Sequence, residues 1–298
     1  MSHIFVTTIT KESADILRAD LLEQGFTFTK PAYTIFQAKK PGITCTLYSS
    51  LKLTVQGKGM REFLEFYLEP QILKSPEFTY KKELALESMD TRSRIGVDEA
   101  GKGDYFGPLC VAGVMADKKT LETLLEIGVC DSKKLSDAQI KKMAPKIVRA
   151  VPNYIVRLYP QKYNQLYTSF GNLNSLLAWC HATAIENLSS HCQTPLAIVD
   201  KFAHESVVEK ALLKKKISIT VEQRTKGESD PVVAAASVVA RWAFIEGMET
   251  LSKEIGMTLP KGAAQKVVQT AQKLVDHHGK EILSRAAKLH FSITNRLH

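Results

Sequence analysis

Two short apolar runs in this 298-residue chain end in an acid: Ile95-Gly96-Val97 leads into Asp98, with Glu99 next, and Leu196-Ala197-Ile198-Val199 leads into Asp200. Runs this short and this apolar read as buried strands. In an open α/β sheet the carboxyl edge of the strands is where crevices form. If the two strands are neighbours, their acids converge there. After Glu99 comes Ala100-Gly101-Lys102-Gly103-Asp104, a glycine-rich turn whose backbone can come close to a ligand. A further acid, Glu228, stands in Thr225-Lys226-Gly227-Glu228-Ser229-Asp230-Pro231, just ahead of a helix. Pro231 suits the first helical position, with Ser229 or Asp230 as its cap. Ala234-Ala235-Ala236-Ser237 then gives that helix a narrow face that can pack tightly under a site.

Carboxylates without paired His or Cys are hard oxygen ligands, which points to Mg2+ or Mn2+ rather than zinc. Such acids holding divalent ions suit in-line attack of water on a phosphodiester. Each acid also has a simpler role open to it. A strand-end Asp caps the next turn, and Glu228 stabilises a helix N-terminus by its charge alone. The residue types by themselves leave both roles standing.

The elements that must position these residues fall into two segments. Residues 10–24 have helical spacing of Ile16, Leu17, Leu21 and Leu22, and Gly25 stops the run. Three short strands follow at 33–38, 43–48 and 51–55, the first two joined by Lys39-Lys40-Pro41-Gly42, and 60–73 reads as a second amphipathic helix. One face of this sheet is apolar. The other carries Thr, Gln, Lys and Tyr, suited either to a nucleic-acid backbone or simply to water. The polar stretch 75–92 reads as connecting chain, with a helical turn at 82–89. Beyond Arg92 the pattern is α/β: strands at 95–98, 109–115, 154–159, 196–200 and 217–223, and helices at 136–150, 161–190, 205–216, 231–255 and in the tail from 263 to 285.

The chain carries +9 net charge with a pI near 9.2. Residues 1–92 hold 12 Lys and Arg against 11 Asp and Glu, and the remainder holds 28 against 20, so the basic excess sits in the second segment. This fits a polyanionic partner without demanding one. Five cysteines show no metal spacing, and most sit in apolar surroundings, reading as buried free thiols of a reducing compartment. The N-terminus lacks a basic, then apolar, signal pattern. No apolar run approaches roughly 18 residues. The expectation is a cytoplasmic protein that avoids the membrane.

Ile95-Gly96-Val97-Asp98-Glu99-Ala100-Gly101-Lys102-Gly103 followed by Gly107-Pro108-Leu109 resembles the opening signature of type 2 ribonucleases H. Asp131-Ser132-Lys133-Lys134-Leu135 resembles the second block of that family. Thr225-Lys226-Gly227-Glu228 running into Ala234-Ala235-Ala236-Ser237-Val238-Val239-Ala240-Arg241 resembles the third. Three blocks in order across one α/β segment are highly specific. Glu228, where ribonuclease HII usually has Asp, and the N-terminal extension are similar to the bacterial ribonuclease HIII branch.

The resemblance implies an α/β chain: a small α+β TATA-binding-protein-like, substrate-binding domain at 1–80, a linker at 81–92, and a ribonuclease-H-like catalytic domain with a mixed sheet flanked by helices at 93–298. It implies an endoribonuclease cutting the RNA strand of RNA·DNA hybrids and leaving 3′-hydroxyl and 5′-phosphate ends. Asp98, Glu99, Asp200 and Glu228 would be catalytic and metal-binding, with Mg2+ or Mn2+. Gly101, Lys102, Gly103, Ser132, Lys133 and Lys134 would contact substrate. The implied partner is the hybrid duplex, met by a monomer with no obligate protein partner. Two departures stand out. Lys102 replaces the arginine of ribonuclease HII, which removes a planar bidentate fork. The C-terminal tyrosine that ribonuclease HII uses at RNA–DNA junctions has no assigned counterpart. Two other readings remain: a nuclease of the same fold acting on DNA, which the Gly101-Lys102-Gly103 block disfavours, and a hybrid-binding protein without catalysis, which four retained acids disfavour.

Overall fold

Residues 4–74, 89–191, 194–200, 205–225 and 227–297 are described in the structure, a computed structural model. The chain divides into two units, 1–90 and 91–298. The connecting stretch 75–88, with most of the helical turn expected at 82–89, lies outside the described residues, as do Cys192 and Lys226.

In the first unit, five strands form an antiparallel sheet in the order β1-β5-β4-β3-β2: β1 (Ile4–Thr8), β2 (Thr27–Thr29), β3 (Thr34–Lys40), β4 (Ile43–Tyr48) and β5 (Lys52–Gln56). The sequence reading missed β1 and β2. In β1 only Phe5 packs against the core, while Ile4 and Val6 are left about half exposed, and β2 has only three residues. Helix α1 (Lys11–Glu23) starts at Thr10, whose hydroxyl accepts the Ser13 N–H. Its Leu17 and Leu21 pack with Cys45, Leu47, Leu53 and Val55 from the inner sheet face. The helix expected at 60–73 begins as α2 (Met60–Phe63) and continues with π spacing over Leu64–Leu73. Pro70 has no N–H for an α ladder and its ring crowds the carbonyl four residues back, so a wider turn serves there.

The second unit is a mixed sheet in the order β10-β9-β6-β7-β8, comprising β6 (Arg94–Ala100), β7 (Leu109–Ala116), β8 (Asn153–Leu158), β9 (Leu196–Asp200) and β10 (Thr220–Arg224). Strands β10, β9 and β6 run parallel, whereas β6, β7 and β8 run antiparallel. The helices are α3 (Lys118–Ile127), α4 (Asp137–Ala150), α5 (Pro160–Phe170), α6 (Leu173–His191), α7 (Glu205–Lys214), α8 (Pro231–Ile255), α9 (Gln265–His278) and α10 (Ile282–Ala286). Helix α3, opened by an Asp117/Thr120 capping box and ended at Gly128, was not anticipated. The helix expected over 161–190 breaks at Gly171, which adopts a left-handed conformation. The tail helix ends at His278 and restarts after Gly279.

Strand alternation divides the sheet between two cores. Ile95 and Val97 of β6, with Ala197 and Val199 of β9, face Leu176, Leu177, Cys180 and Ala184 of α6. On the other face, Leu196 and Ile198 meet Val233 of α8. A Cβ on Gly96 would lie 2.5 Å from the Val232 carbonyl carbon and the Val233 nitrogen, so only glycine lets α8 come this close to β6. Helix α8 is long and apolar enough by composition to cross a membrane, which the sequence reading did not anticipate. Inside the unit 78% of its apolar window is buried, and it serves as the core helix.

Candidate active site

Val97 pairs with Val199 across the parallel β6/β9 ladder, so the next residues, Asp98 and Asp200, leave adjacent strands at the same level. By alternation both face α8. Glu99, one residue on, turns to the opposite face and meets α6. Its Oε2 lies 3.1 Å from Nε2 of His181, which is fully buried, and its Oε1 lies 3.7 Å from the Lys102 ammonium. The Asp98 carboxylate accepts the Glu99 N–H at 2.8 Å and sits beside the Ser237 hydroxyl, itself 2.6 Å from Ser132 Oγ. Asp200 accepts the Gly227 N–H at 2.8 Å. That bond ties β9 to the single 3-10 turn Gly227–Ser229 that carries Glu228.

The electrostatics follow from this arrangement. Burial, reinforced by the charges of Glu99 and Asp200, pushes the Asp98 carboxyl up to about 7, even though its backbone and Ser237 hydrogen bonds pull the other way. Burial also acts to raise Glu99, but His181 and Lys102 outweigh it and hold that carboxyl below its ordinary value. Of two neighbouring acids, one is therefore raised and the other lowered.

A cavity of about 400 Å³ opens here, lined by Asp98, Glu99, the turn Gly101-Lys102-Gly103-Asp104, Ser132, Lys133, Asp200, Ser237, Arg241, Phe244 and Lys261. Gly101 has φ +87°, and a Cβ there would meet the Pro108 carbonyl at 2.3 Å, so this turn requires glycine. Eight of the ten residues expected in the site thus share one cavity. The other two do not line it: Lys134 is exposed, and half-buried Glu228 stands beside Asp200 through Gly227.

Sequence reasoning did not assign roles to His181, Ser237, Arg241 or Lys261. Arg241 ion-pairs with Asp137 at 3.1 Å and donates to the Ser132 carbonyl, and Lys261 also pairs with Asp137. These cations come from separate parts of the chain, with no local pattern to reveal them. Asp230 is engaged elsewhere: it caps α8 at the Val232 N–H and ion-pairs with buried Arg94 at 2.9 Å.

Among the described residues, no three His, Cys, Asp or Glu side chains are gathered closely enough to enclose an ion by themselves. Mg2+ binds through one or two carboxylates and keeps waters and substrate phosphates on its other positions. Asp98 and Asp200, hard oxygen donors side by side at an open cavity, fit that mode. The raised Asp98 carboxyl is the expected signature of acids that share too little positive charge.

A mixed five-stranded sheet with acids at the carboxyl ends of its central strands, under a glycine turn and a small-residue helix, defines a ribonuclease-H-like nuclease. Residues 95–294 match the family model described as Ribonuclease HII, and residues 4–77 match one described as a domain of unknown function (DUF3378). Ribonuclease HIII of Chlamydia felis is 48% identical over 300 residues, 100% of this chain and 98% of that protein. Ribonuclease HIII of Protochlamydia amoebophila is 48% identical, covering 96% of this chain and 94% of that protein. The crystal structure of Bst-RNase HIII in complex with Mn2+ superposes with a TM-score of 0.67 at 31% identity, covering 99% of this chain and 97% of that one. The Aquifex aeolicus RNase H3 structure, at 24% identity and TM-score 0.57, shares the fold. The chain belongs to the ribonuclease HIII family.

Proposed function

We propose that this ribonuclease H cuts the RNA strand of RNA·DNA hybrids at the cavity between Asp98, Asp200 and the 101–104 turn, leaving 3′-hydroxyl and 5′-phosphate ends. The observation that carries the reading is the pairing of Val97 with Val199, which brings the residues that follow, Asp98 and Asp200, side by side on adjacent strands near a glycine turn held in one conformation. Asp98 and Asp200, with Glu99 and Glu228 completing the set, would hold Mg2+ or Mn2+, which supplies an activated water and neutralises the leaving oxygen.

The protein's own groups do the rest. Lys102, Lys133, Arg241 and Lys261 bring positive charge to one carboxylate-floored cavity, where the phosphates of a duplex would be steered and held. Gly101 and Gly103 allow the backbone to reach a ribose 2′-hydroxyl, the group that separates RNA from DNA at one position. Ser237, between Asp98 and Ser132, orients the Asp98 carboxylate by hydrogen bonding. The first unit, residues 1–80 in its functional extent, grips the hybrid through the Thr-, Gln- and Lys-bearing outer face of its sheet. The enzyme works as a monomer.

A gel assay with labelled RNA·DNA, RNA·RNA and single-ribonucleotide DNA duplexes tests this. Cleavage of the hybrid that needs a divalent metal and stops with EDTA supports the reading. An intact hybrid under every metal overturns it.

A further inference from the structure

The segment after α10 runs back beneath the turn that carries Gly101-Lys102-Gly103. Ala287 bridges antiparallel to Phe106, the Lys288 N–H donates to the Tyr105 carbonyl at 2.8 Å, and the Gly107 N–H donates to the Ala286 carbonyl at 3.1 Å. On the turn's other flank, the Tyr105 N–H donates to the Gly262 carbonyl at 2.9 Å, and the Gly262 N–H donates to the Asp104 carboxylate at 2.6 Å. The tail thus forms the bed on which this turn lies.

At its centre is Lys288, whose side chain is fully buried. Its ammonium lies 2.8 Å from the carbonyls of Asp104 and Gly107, 3.4 Å from that of Phe106, and 5.7 Å from the centre of the Tyr163 ring. An ammonium has three N–H donors, and three carbonyls of one turn converge on them. An apolar side chain would avoid the desolvation of a buried cation but would leave those carbonyls unmatched. The cation is retained where the backbone must curl with its carbonyls inward, which leaves Gly101 to Gly103 to face the cavity.

We propose that Lys288 is a positioning residue for substrate recognition: its ammonium gathers the 104, 106 and 107 carbonyls and so holds the glycine turn in the shape that meets the RNA strand. This rests on the function proposed above. Burial lowers the Lys288 pKa to about 7, partly opposed by the charge of Asp104. The other titratable groups facing it are the Cys110 thiol of β7, pushed up to about 12, the Tyr163 hydroxyl of α5, pushed upward by burial, and His290 of the same segment, lowered by burial and by Lys288 itself. Of these groups, Lys288 is the one moved to about 7.

The test measures KM and kcat for an RNA·DNA hybrid between about pH 6 and about pH 9, at saturating metal, in wild type, Lys288→Met and Leu274→Ala. Leu274 is fully buried in the same tail core but brings no polar group to the 104–107 carbonyls, and serves as a control for simple destabilisation. In wild type, KM rises as the pH passes about 7, whereas in Lys288→Met it stays at every pH about tenfold above the low-pH wild-type value, with a smaller change in kcat, so the two proteins converge at alkaline pH. Leu274→Ala lowers the melting temperature but keeps the wild-type KM profile. A wild-type KM that stays flat to about pH 9 overturns the proposal without reference to any variant. A KM rise in Leu274→Ala equal to that in Lys288→Met also overturns it, because loss of tail packing would then account for both. Failure of the wild type to cut the hybrid at all would instead overturn the underlying function.

Discussion

Replacing Asp98 by Asn should stabilise the metal-free protein while removing its activity. The Asp98 carboxyl is raised from 3.8 to about 7 by burial and by the facing charges of Glu99 and Asp200. A carboxyl whose folded pKa is raised contributes stability that is full below its unfolded value and is lost as pH rises through its folded value. The window therefore runs from about 4 to about 7, and above it the folded protein carries an unfavourable buried charge. A shift of about three units sets a ceiling of about 4 kcal/mol. Asp98 sits at an open cavity where water screens it, which reduces the expected gain from Asp98→Asn to about 1–2 kcal/mol above neutral pH.

For a unit the size of 91–298, each kcal/mol moves the melting temperature by about 2–4 °C, so the variant should melt about 3–6 °C higher in EDTA at mildly alkaline pH. The gain should shrink toward zero near pH 4. The assay is convenient because the chain's two tryptophans, Trp179 and Trp242, both lie in the second unit, so their fluorescence follows that unit. Added Mg2+ should reverse the order by stabilising wild type more than the variant. An Asp98→Asn protein that melts at or below wild type in alkaline EDTA, or gains equally at low pH, would refute the reasoning.

Two further substitutions probe the scaffold. Gly96→Ala drives a methyl group to within 2.5 Å of the α8 backbone, about 1 Å inside normal contact, and should cost about 1–3 kcal/mol in urea unfolding while slowing hybrid cleavage. Arg94→Met leaves buried Asp230 to its second, longer ion pair with Arg224 at 3.4 Å and should cost up to about 3–5 kcal/mol, much of it recovered in the Arg94→Met, Asp230→Asn double variant.

Much of the second unit is legible in the sequence because its signals are local. Apolar runs ending in Asp98 and Asp200 give the strands, Pro231 and Asp230 mark the start of α8, and Gly101 marks a turn no other residue fits. What escaped depends on distance or on exposure. The bond from His181 to Glu99 spans 82 positions, and a single His on a helix gives no sign of it. Lys288 looks like any tail lysine until the fold carries it under the 104–107 carbonyls. Strand β1 was missed because Ile4 and Val6 break the rule that apolar residues point inward. Asp98 and Glu99 read as one acidic pair, yet strand alternation sends them to opposite faces of the sheet, toward α8 and α6.

The most direct test of the site is hybrid cleavage by wild type and by Asp200→Asn, with hybrid affinity measured in parallel. Asp200 is a proposed ligand of a cation that contributes several kcal/mol of transition-state stabilisation, so its loss should lower kcat by about a thousandfold. Hybrid affinity should stay near wild type, because the lysine and arginine contacts remain. Undiminished turnover by Asp200→Asn would contradict the account and place the chemistry elsewhere in the chain.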